Sequence, residues 1–179
     1  MDNLKDYIYV KNAVPQDVCS QVISNLHLAP WQQHTWYNEA LQTHKSYDND
    51  FYSTHSDLNE EILGPYVDQF CLDFHKKYGE CFRQLSRIKF NRYDVGHSIH
   101  KHFDHIQSLF DGVRKGIPIV SFIGVLNDDY EGGELVFWDE FEVKLSAGDI
   151  VAFPSIFLYP HQVREVKSGS RYSYVSWAI

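Results

Sequence analysis

Beyond Gly79 the chain is cut into short runs rich in β-branched and aromatic residues: Pro118 to Leu126, Glu134 to Trp138, Phe141 to Leu145, Asp149 to Phe153, His161 to Val166 and Arg171 to Trp177. Gly132-Gly133, Ala147-Gly148-Asp149 and Ser168-Gly169-Ser170 punctuate them. Short strands with a turn signal about every 8–12 residues predict an all-β sandwich or barrel. Ahead of these runs, Ile88 and Phe90 alternate with Arg87, Lys89, Asn91 and Tyr93. Alternate strand residues point to opposite faces, so the polar row Lys89, Asn91 and Tyr93 is expected to face the barrel interior.

The first 80 residues read differently. Tyr7-Ile8-Tyr9-Val10 predicts an edge strand. Pro15 opens a helix, because its missing N–H costs nothing at the first helical position. Val18, Cys19, Val22, Ile23 and Leu26 then form an apolar stripe at helical spacing. Residues 31–56 carry Trp31, Trp36, Tyr37, Tyr47, Phe51 and Tyr52 with no clear period. A second helix is predicted over about 57–79, with Tyr66, Val67, Phe70, Cys71, Phe74 and Tyr78 inward and a kink or restart at Gly64-Pro65. The predicted fold is mostly β with N-terminal helices. It forms one domain over 1–179, with 1–80 as helical support and aromatic-rich segment and 81–179 as barrel core.

Composition narrows the function. Among 179 residues, 16 Lys+Arg face 24 Asp+Glu, for a net charge of −8. That balance argues against nucleic acid as a partner, since gripping a phosphate backbone is mostly cationic work. The longest apolar stretch, Ile117 to Leu126, has about ten residues, and spanning a bilayer takes roughly 20. The N-terminus lacks the basic start and apolar block of a signal peptide. Cys19, Cys71 and Cys81 are too few for a disulfide framework, so the expected compartment is reducing and cytoplasmic, and the thiols are expected to be inert core.

Histidine is abundant: ten, with His97, His100, His102 and His105 within nine residues. In a strand, His102 and Asp104 would share a face and could hold one metal ion from adjacent corners. The third ligand must come from elsewhere, and the strands beyond that motif offer His161. Two histidines and one carboxylate make the facial triad of non-haem Fe(II) oxygenases, which leaves positions open. Ten residues after His161 stands Arg171, with Ser173 on its face. A guanidinium beside a hydroxyl suits a carboxylate held away from the metal.

The stretch from Arg92 to the C-terminus resembles the 2-oxoglutarate- and Fe(II)-dependent dioxygenases, in particular the prolyl 4-hydroxylase-like group. Tyr93-Asp94-Val95-Gly96 followed by His102-Phe103-Asp104 is similar to the family's Tyr-x-x-Gly and His-x-Asp. Leu126-Asn127 through Gly132-Gly133-Glu134-Leu135 is similar to its hairpin. Gly148-Asp149, Phe153-Pro154-Ser155, His161 and Gly169-Ser170-Arg171-Tyr172-Ser173 are similar to its distal half. Two departures stand out. Arg171 occupies a place where many collagen-type enzymes have Lys, and Val125 one where relatives often carry Tyr or Thr; Ser121 shares the face of Val125.

The resemblance implies a double-stranded β-helix, a jelly-roll barrel with helices on one side. It implies Fe(II) on His102, Asp104 and His161. It also implies 2-oxoglutarate paired with Arg171 beside Ser173 and reached by the Tyr93 hydroxyl. O₂ would be the second cosubstrate, and ascorbate a supporting reductant. The implied reaction hydroxylates a prolyl residue in a peptide or protein while 2-oxoglutarate becomes succinate and CO₂. The same chemistry on another side chain or a small molecule is the alternative, and a non-catalytic metal-binding barrel the rival from another class. Residues 105–117, with Arg114 and Lys115, are expected to form a lid, and Trp36, Tyr37, Phe51 and Tyr52 a groove for an extended proline-containing peptide.

Overall fold

The computed structural model describes residues 2–38, 43–105 and 117–179. A short helix α1 (Asp2–Lys5) precedes strand β1 (Tyr9–Asn12) and helix α2 (Gln16–Leu26). Short strands β2 (Gln32–Gln33), β3 (Trp36–Asn38), β4 (Thr43–Lys45) and β5 (Tyr52–Thr54) lead to the long helix α3 (Asp57–Tyr78). Strands follow: β6 (Lys89–Tyr93), β7 (Ile99–His102), β8 (Val120–Val125), β9 (Glu131–Gly132), β10 (Leu135–Phe137), β11 (Phe141–Val143), β12 (Asp149–Pro154), β13 (His161–Val163), β14 (Val166–Ser168) and β15 (Arg171–Ala178).

Seven strands, in the order β1-β12-β8-β15-β6-β5-β2, form the larger sheet, and β11-β10-β13-β7 form the smaller. Their inner faces pack together: Tyr93, Val151 and Phe153 from the larger sheet meet Leu135, Phe137 and Val163 from the smaller. The rings of Phe137 and Phe153 lie 4.8 Å apart across that interior. This is the double-stranded β-helix, and its two longer helices, α2 and α3, lie on one side. Cys19, Val22 and Leu26 of α2 and Leu63, Val67, Phe70 and Phe74 of α3 pack on the outward residues Phe90, Phe122, Ile150, Ala152 and Tyr174. Strand alternation therefore decides the chemistry of each face. Along β15, Tyr172, Tyr174 and Ala178 meet the helices, while Arg171, Ser173, Val175 and Trp177 face a cavity inside the barrel. On β6, Lys89, Asn91 and Tyr93 face the same cavity, as the polar alternation predicts.

Local chemistry explains the element ends. Ser56 caps α3 by accepting from the Asn59 N–H, and Gly79 closes the helix at φ 87°, a backbone region open to glycine. Gly124 serves a different need. It pairs with Tyr174 in the sheet, and a Cβ there would lie 2.0 Å from the Tyr174 ring.

Four expectations need correction. Helix α3 does not restart at Gly64-Pro65 but runs through it as one element. Pro65 and Glu61 are both exposed, so water can satisfy the carbonyl that loses its partner. The 31–56 segment contains strands: β5 pairs with β6 and β2 with β5, extending the larger sheet. The run from His161 to Val166 divides into β13 and β14, which pair in different sheets. Cys19 and Cys71 are buried, but Cys81 is exposed. Among the described residues no helix is long and apolar enough to cross a membrane.

Candidate active site

Strands β7 and β13 pair antiparallel with His102 opposite His161, which brings the two rings to 4.4 Å between centroids. Strand β7 ends at His102. Asp104 lies on the bend that follows, so it reaches the same point by the turn of the chain rather than by strand alternation. The His105 N–H donates to the Ser155 carbonyl at 2.9 Å and fixes that bend. His102 Nε2 is 3.4 Å from Asp104 Oδ1, and His161 Nε2 is 3.8 Å from Asp104 Oδ2. One ligand atom from each of the three lies within 4.8 Å of the others.

Each imidazole is oriented by its other nitrogen. His102 Nδ1 is 2.8 Å from the His100 carbonyl, and His161 Nδ1 is 3.1 Å from the Tyr159 carbonyl. Both Nδ1 atoms must carry a hydrogen, because a carbonyl only accepts; this turns both Nε2 atoms toward Asp104, where each can ligate a metal once its ring is neutral. Ser121 donates to Asp104 Oδ2 at 2.5 Å. Burial pushes the Asp104 carboxyl upward, but His161, His102 and Ser121 together outweigh it and hold the group ionised, well below the ordinary carboxylate range. Two neutral-capable imidazoles and a carboxylate are a donor set for a borderline divalent ion such as Fe(II).

Arg171 lies in the same cavity and is only 1% exposed. Its Nη1 donates to Ser173 Oγ at 2.7 Å, and its guanidinium carbon lies 5.1 Å from the centre of the Tyr93 ring, whose residue is its partner on β6. Among the described residues no carboxylate pairs with it, and its Nε has no hydrogen-bond partner. A buried cation without a counter-charge is expensive, so this one is built to receive an anion. The metal-type cluster sits toward the other end of the inward row on β15, since Ser121, which holds Asp104, pairs with Trp177. Between the two ends lies a cavity of about 390 Å³, large enough for a small dicarboxylate and part of a second molecule. Burial pushes the Tyr93 hydroxyl pKa up, so Tyr93 stays a neutral donor.

Trp36 does reach this site. Its ring is 5.6 Å from that of His102 and 4.3 Å from that of His100, and its Nε1 donates to buried Asp50 at 3.1 Å. Phe51 stacks on Tyr93 at 4.6 Å. Tyr37 pairs with His44 in the β3–β4 ladder, but its side chain is outside the described residues. Arg114, Lys115 and the proposed lid also lie outside them. Sequence reading assigned no task to Ser121 or His34. Ser121 gives only the signal of sharing the inward face of β8; for His34 there is none.

Comparison with known proteins agrees with this geometry. The sequence pattern of the 2OG-Fe(II) oxygenase superfamily matches residues 88–179. A PKHD-type hydroxylase of Idiomarina loihiensis is 39% identical over 98 residues, 53% of this chain and 43% of the relative. One from Shewanella oneidensis is 44% identical over 93 residues, 49% of this chain and 40% of the relative. The match thus spans less than half the length of these curated relatives. A prolyl hydroxylase from Trichoplax adhaerens, solved with a peptide fragment of hypoxia inducible factor, superposes with TM-score 0.72 at 15% identity, covering 99% of this chain and 86% of that one. A Pseudomonas putida prolyl-4-hydroxylase gives 0.69 at 17% identity, covering 99% and 95%.

Proposed function

The chain belongs to the 2OG-Fe(II) oxygenase superfamily, and from that premise we propose that it hydroxylates a prolyl residue in a peptide or protein, converting 2-oxoglutarate to succinate and CO₂. The family's cofactor is Fe(II), and its cosubstrates are 2-oxoglutarate and O₂. When bound, the iron supplies the oxidation of an unactivated C–H bond.

The protein's part is binding, orientation and exclusion of water. His102, Asp104 and His161 would hold the metal through two Nε2 atoms and a carboxylate oxygen. All three line the cavity, so a metal held there would be reachable from it. Arg171, with Ser173 beside it, would take the distal carboxylate of 2-oxoglutarate. That contact sets the distance at which the other end of the molecule meets the metal. Tyr93 would donate its hydroxyl hydrogen to the cosubstrate. Ile123, Val163 and Val175 line the space between with apolar surface. In that low-dielectric setting a charge-assisted pair is strong.

The single observation that carries the reading is the buried, uncompensated guanidinium of Arg171 in one cavity with the His102–Asp104–His161 cluster. A barrel that merely binds metal has no use for that cation. The prolyl assignment draws support from the hydroxylase names of the relatives and from prolyl hydroxylases among the folds it resembles. We read residues 1–179 as one catalytic unit, and three free thiols support a cytoplasmic setting. The test is incubation with Fe(II), ascorbate, 2-oxoglutarate and a library of proline-containing peptides. Succinate release and a mass gain of one oxygen atom on proline are expected. Succinate release with oxygen on another residue would move the assignment to that side chain.

A further inference from the structure

The cavity holds a second cation. Lys89 lies on the inward face of β6, four residues from Tyr93, or roughly 13 Å at about 3.3 Å per strand residue. Its partner on β15 is Val175, two places toward the metal cluster from Ser173. Lys89 Nζ is 3.0 Å from His34 Nδ1, and among the described residues neither a carboxylate nor any other side chain accepts from it. An ammonium carries three N–H donors, so this contact leaves two to be used. Nor does His34 neutralise the charge. Burial first, and then the charge of Lys89 itself, push the His34 pKa down to about 3, so it is a neutral acceptor. Burial brings the Lys89 pKa down to about 8, which leaves the group mainly protonated at neutral pH.

The surroundings form a short path from this cation to the metal cluster. The His34 ring contacts Trp36 at 4.8 Å, and Trp36 contacts His102 at 5.6 Å. Phe51 stacks on His34 at 4.5 Å and closes the other side. A molecule reaching from Lys89 toward the cluster would lay its apolar body on Trp36 and Phe51. The cosubstrate leaves this cation unused. In the reading above, Arg171 takes one carboxylate of 2-oxoglutarate and the metal takes the other.

We propose that Lys89 is a receptor for a carboxylate on the substrate that is oxidised, so that the enzyme prefers a target residue with an acidic group beside it. The proposal rests on the dioxygenase reading and names its substrate class. A peptide offers that carboxylate either as a chain terminus following the target residue or as a neighbouring Asp or Glu side chain.

The test is calorimetric binding to the 179-residue protein loaded with Zn(II) and saturated with 2-oxoglutarate. Three peptides are compared: acetyl-Ala-Pro as the free acid, acetyl-Ala-Pro-Asp amide and acetyl-Ala-Pro-Ala amide. In the unaltered protein at least one acid should bind ten or more times tighter than the neutral amide, and the better acid names the source. Lys89→Met should bring that ratio to near one, while Lys89→Arg should keep most of it. Titration of each variant with 2-oxoglutarate shows that its site is folded and should agree within about twofold. Three results would overturn the idea: acids and amide binding alike in the unaltered protein, including no binding by either; acid binding unmoved in Lys89→Met; or Lys89→Met losing 2-oxoglutarate instead, which would make Lys89 a cosubstrate contact. Repeating the acids with Ala in place of Pro separates the two readings. Lys89-dependent binding of the Ala acids, with no proline oxidised by the Fe(II) enzyme, keeps the receptor and removes the prolyl assignment.

Discussion

Ser121 holds Asp104: its hydroxyl donates to Oδ2 at 2.5 Å, and Ser155 Oγ stands 2.8 Å behind, donating in turn to Ser121. The relay starts on β8 of the larger sheet and ends on the bend after β7 of the smaller. It therefore fixes one proposed ligand of one sheet against the other. Groups behind metal ligands typically contribute about 10–100-fold in metal affinity. Ser121→Ala is expected to weaken Zn(II) or Mn(II) binding by that order, measured by chelator competition, with little change in the far-UV spectrum. Unchanged metal affinity would show that the Asp104 carboxylate needs no such brace.

Metal removal should cost stability in a pH-dependent way. Burial opposes protonation of His102, but the Asp104 carboxylate outweighs it, so the pKa of His102 is raised above 6.5. A raised folded-state pKa stabilises the metal-free protein below 6.5, and that stabilisation is lost as pH rises through the raised value. Metal binding needs the neutral imidazole, so the holo form behaves in the opposite sense. Chelation should therefore lower Tm more at about pH 8 than at about pH 6. An equal drop at both would mean that His102 does not titrate with the site.

Arg171→Ala should cost 2-oxoglutarate about 2–5 kcal/mol of binding free energy, the usual loss for breaking a desolvated charge-assisted pair. Arg171→Lys should cost less, because the charge remains while the two-pronged geometry is lost. Titration with 2-oxoglutarate on Zn(II)-loaded protein reads both. If alanine left the affinity unchanged, the carboxylate receptor would have to be another group.

On the helix-facing side of the same strand, Tyr174 is fully buried and its hydroxyl has no hydrogen-bond partner among the described residues. An unsatisfied buried hydroxyl costs about 1–3 kcal/mol. Tyr174→Phe removes it and keeps the ring, so the variant should unfold at equal or higher urea concentration than the unaltered protein. Gly124→Ala should do the reverse, by about 1–3 kcal/mol of overpacking, since the new Cβ would meet the Tyr174 ring. A destabilised Tyr174→Phe would reveal a partner for the hydroxyl.

What the sequence made readable depended on the range of the physics involved. Strand alternation is local, so the inward row Lys89, Asn91 and Tyr93 and the pair Arg171 and Ser173 could be read residue by residue. The motif His102-x-Asp104 was equally plain, although its geometry comes from a bend rather than a strand. The Ser121–Asp104 bond joins residues 17 apart and crosses between sheets, and nothing in the local pattern encodes it. Strands β2 to β5 have two or three residues each, too short to show a period, so the aromatic segment looked patternless. The helix does not restart at Pro65 because the rule for proline inside a helix is strict only where its lost hydrogen bond is buried.

The tether between β1 and α3 gives a prediction about acid stability. Asp73 accepts from Lys11 on β1 at 2.5 Å, from Lys76 at 3.2 Å and from Gln69 at 3.3 Å. The Lys11 bond first, and then that from Lys76, hold the Asp73 pKa down to about 2, against an ordinary value of 3.8. A depressed carboxyl pKa stabilises the fold above the unfolded value, and that stability is lost as pH falls from 3.8 toward 2. The site is near solvent, so salt should weaken the effect. Asp73→Asn should lower the urea midpoint at neutral pH by a small, salt-sensitive amount. The gap to the unaltered protein should narrow steadily below 3.8, because protonation then removes from the unaltered protein what the substitution has already removed. A gap that stayed constant across that range would show that Asp73 contributes through packing or its neutral hydrogen bonds rather than through its charge.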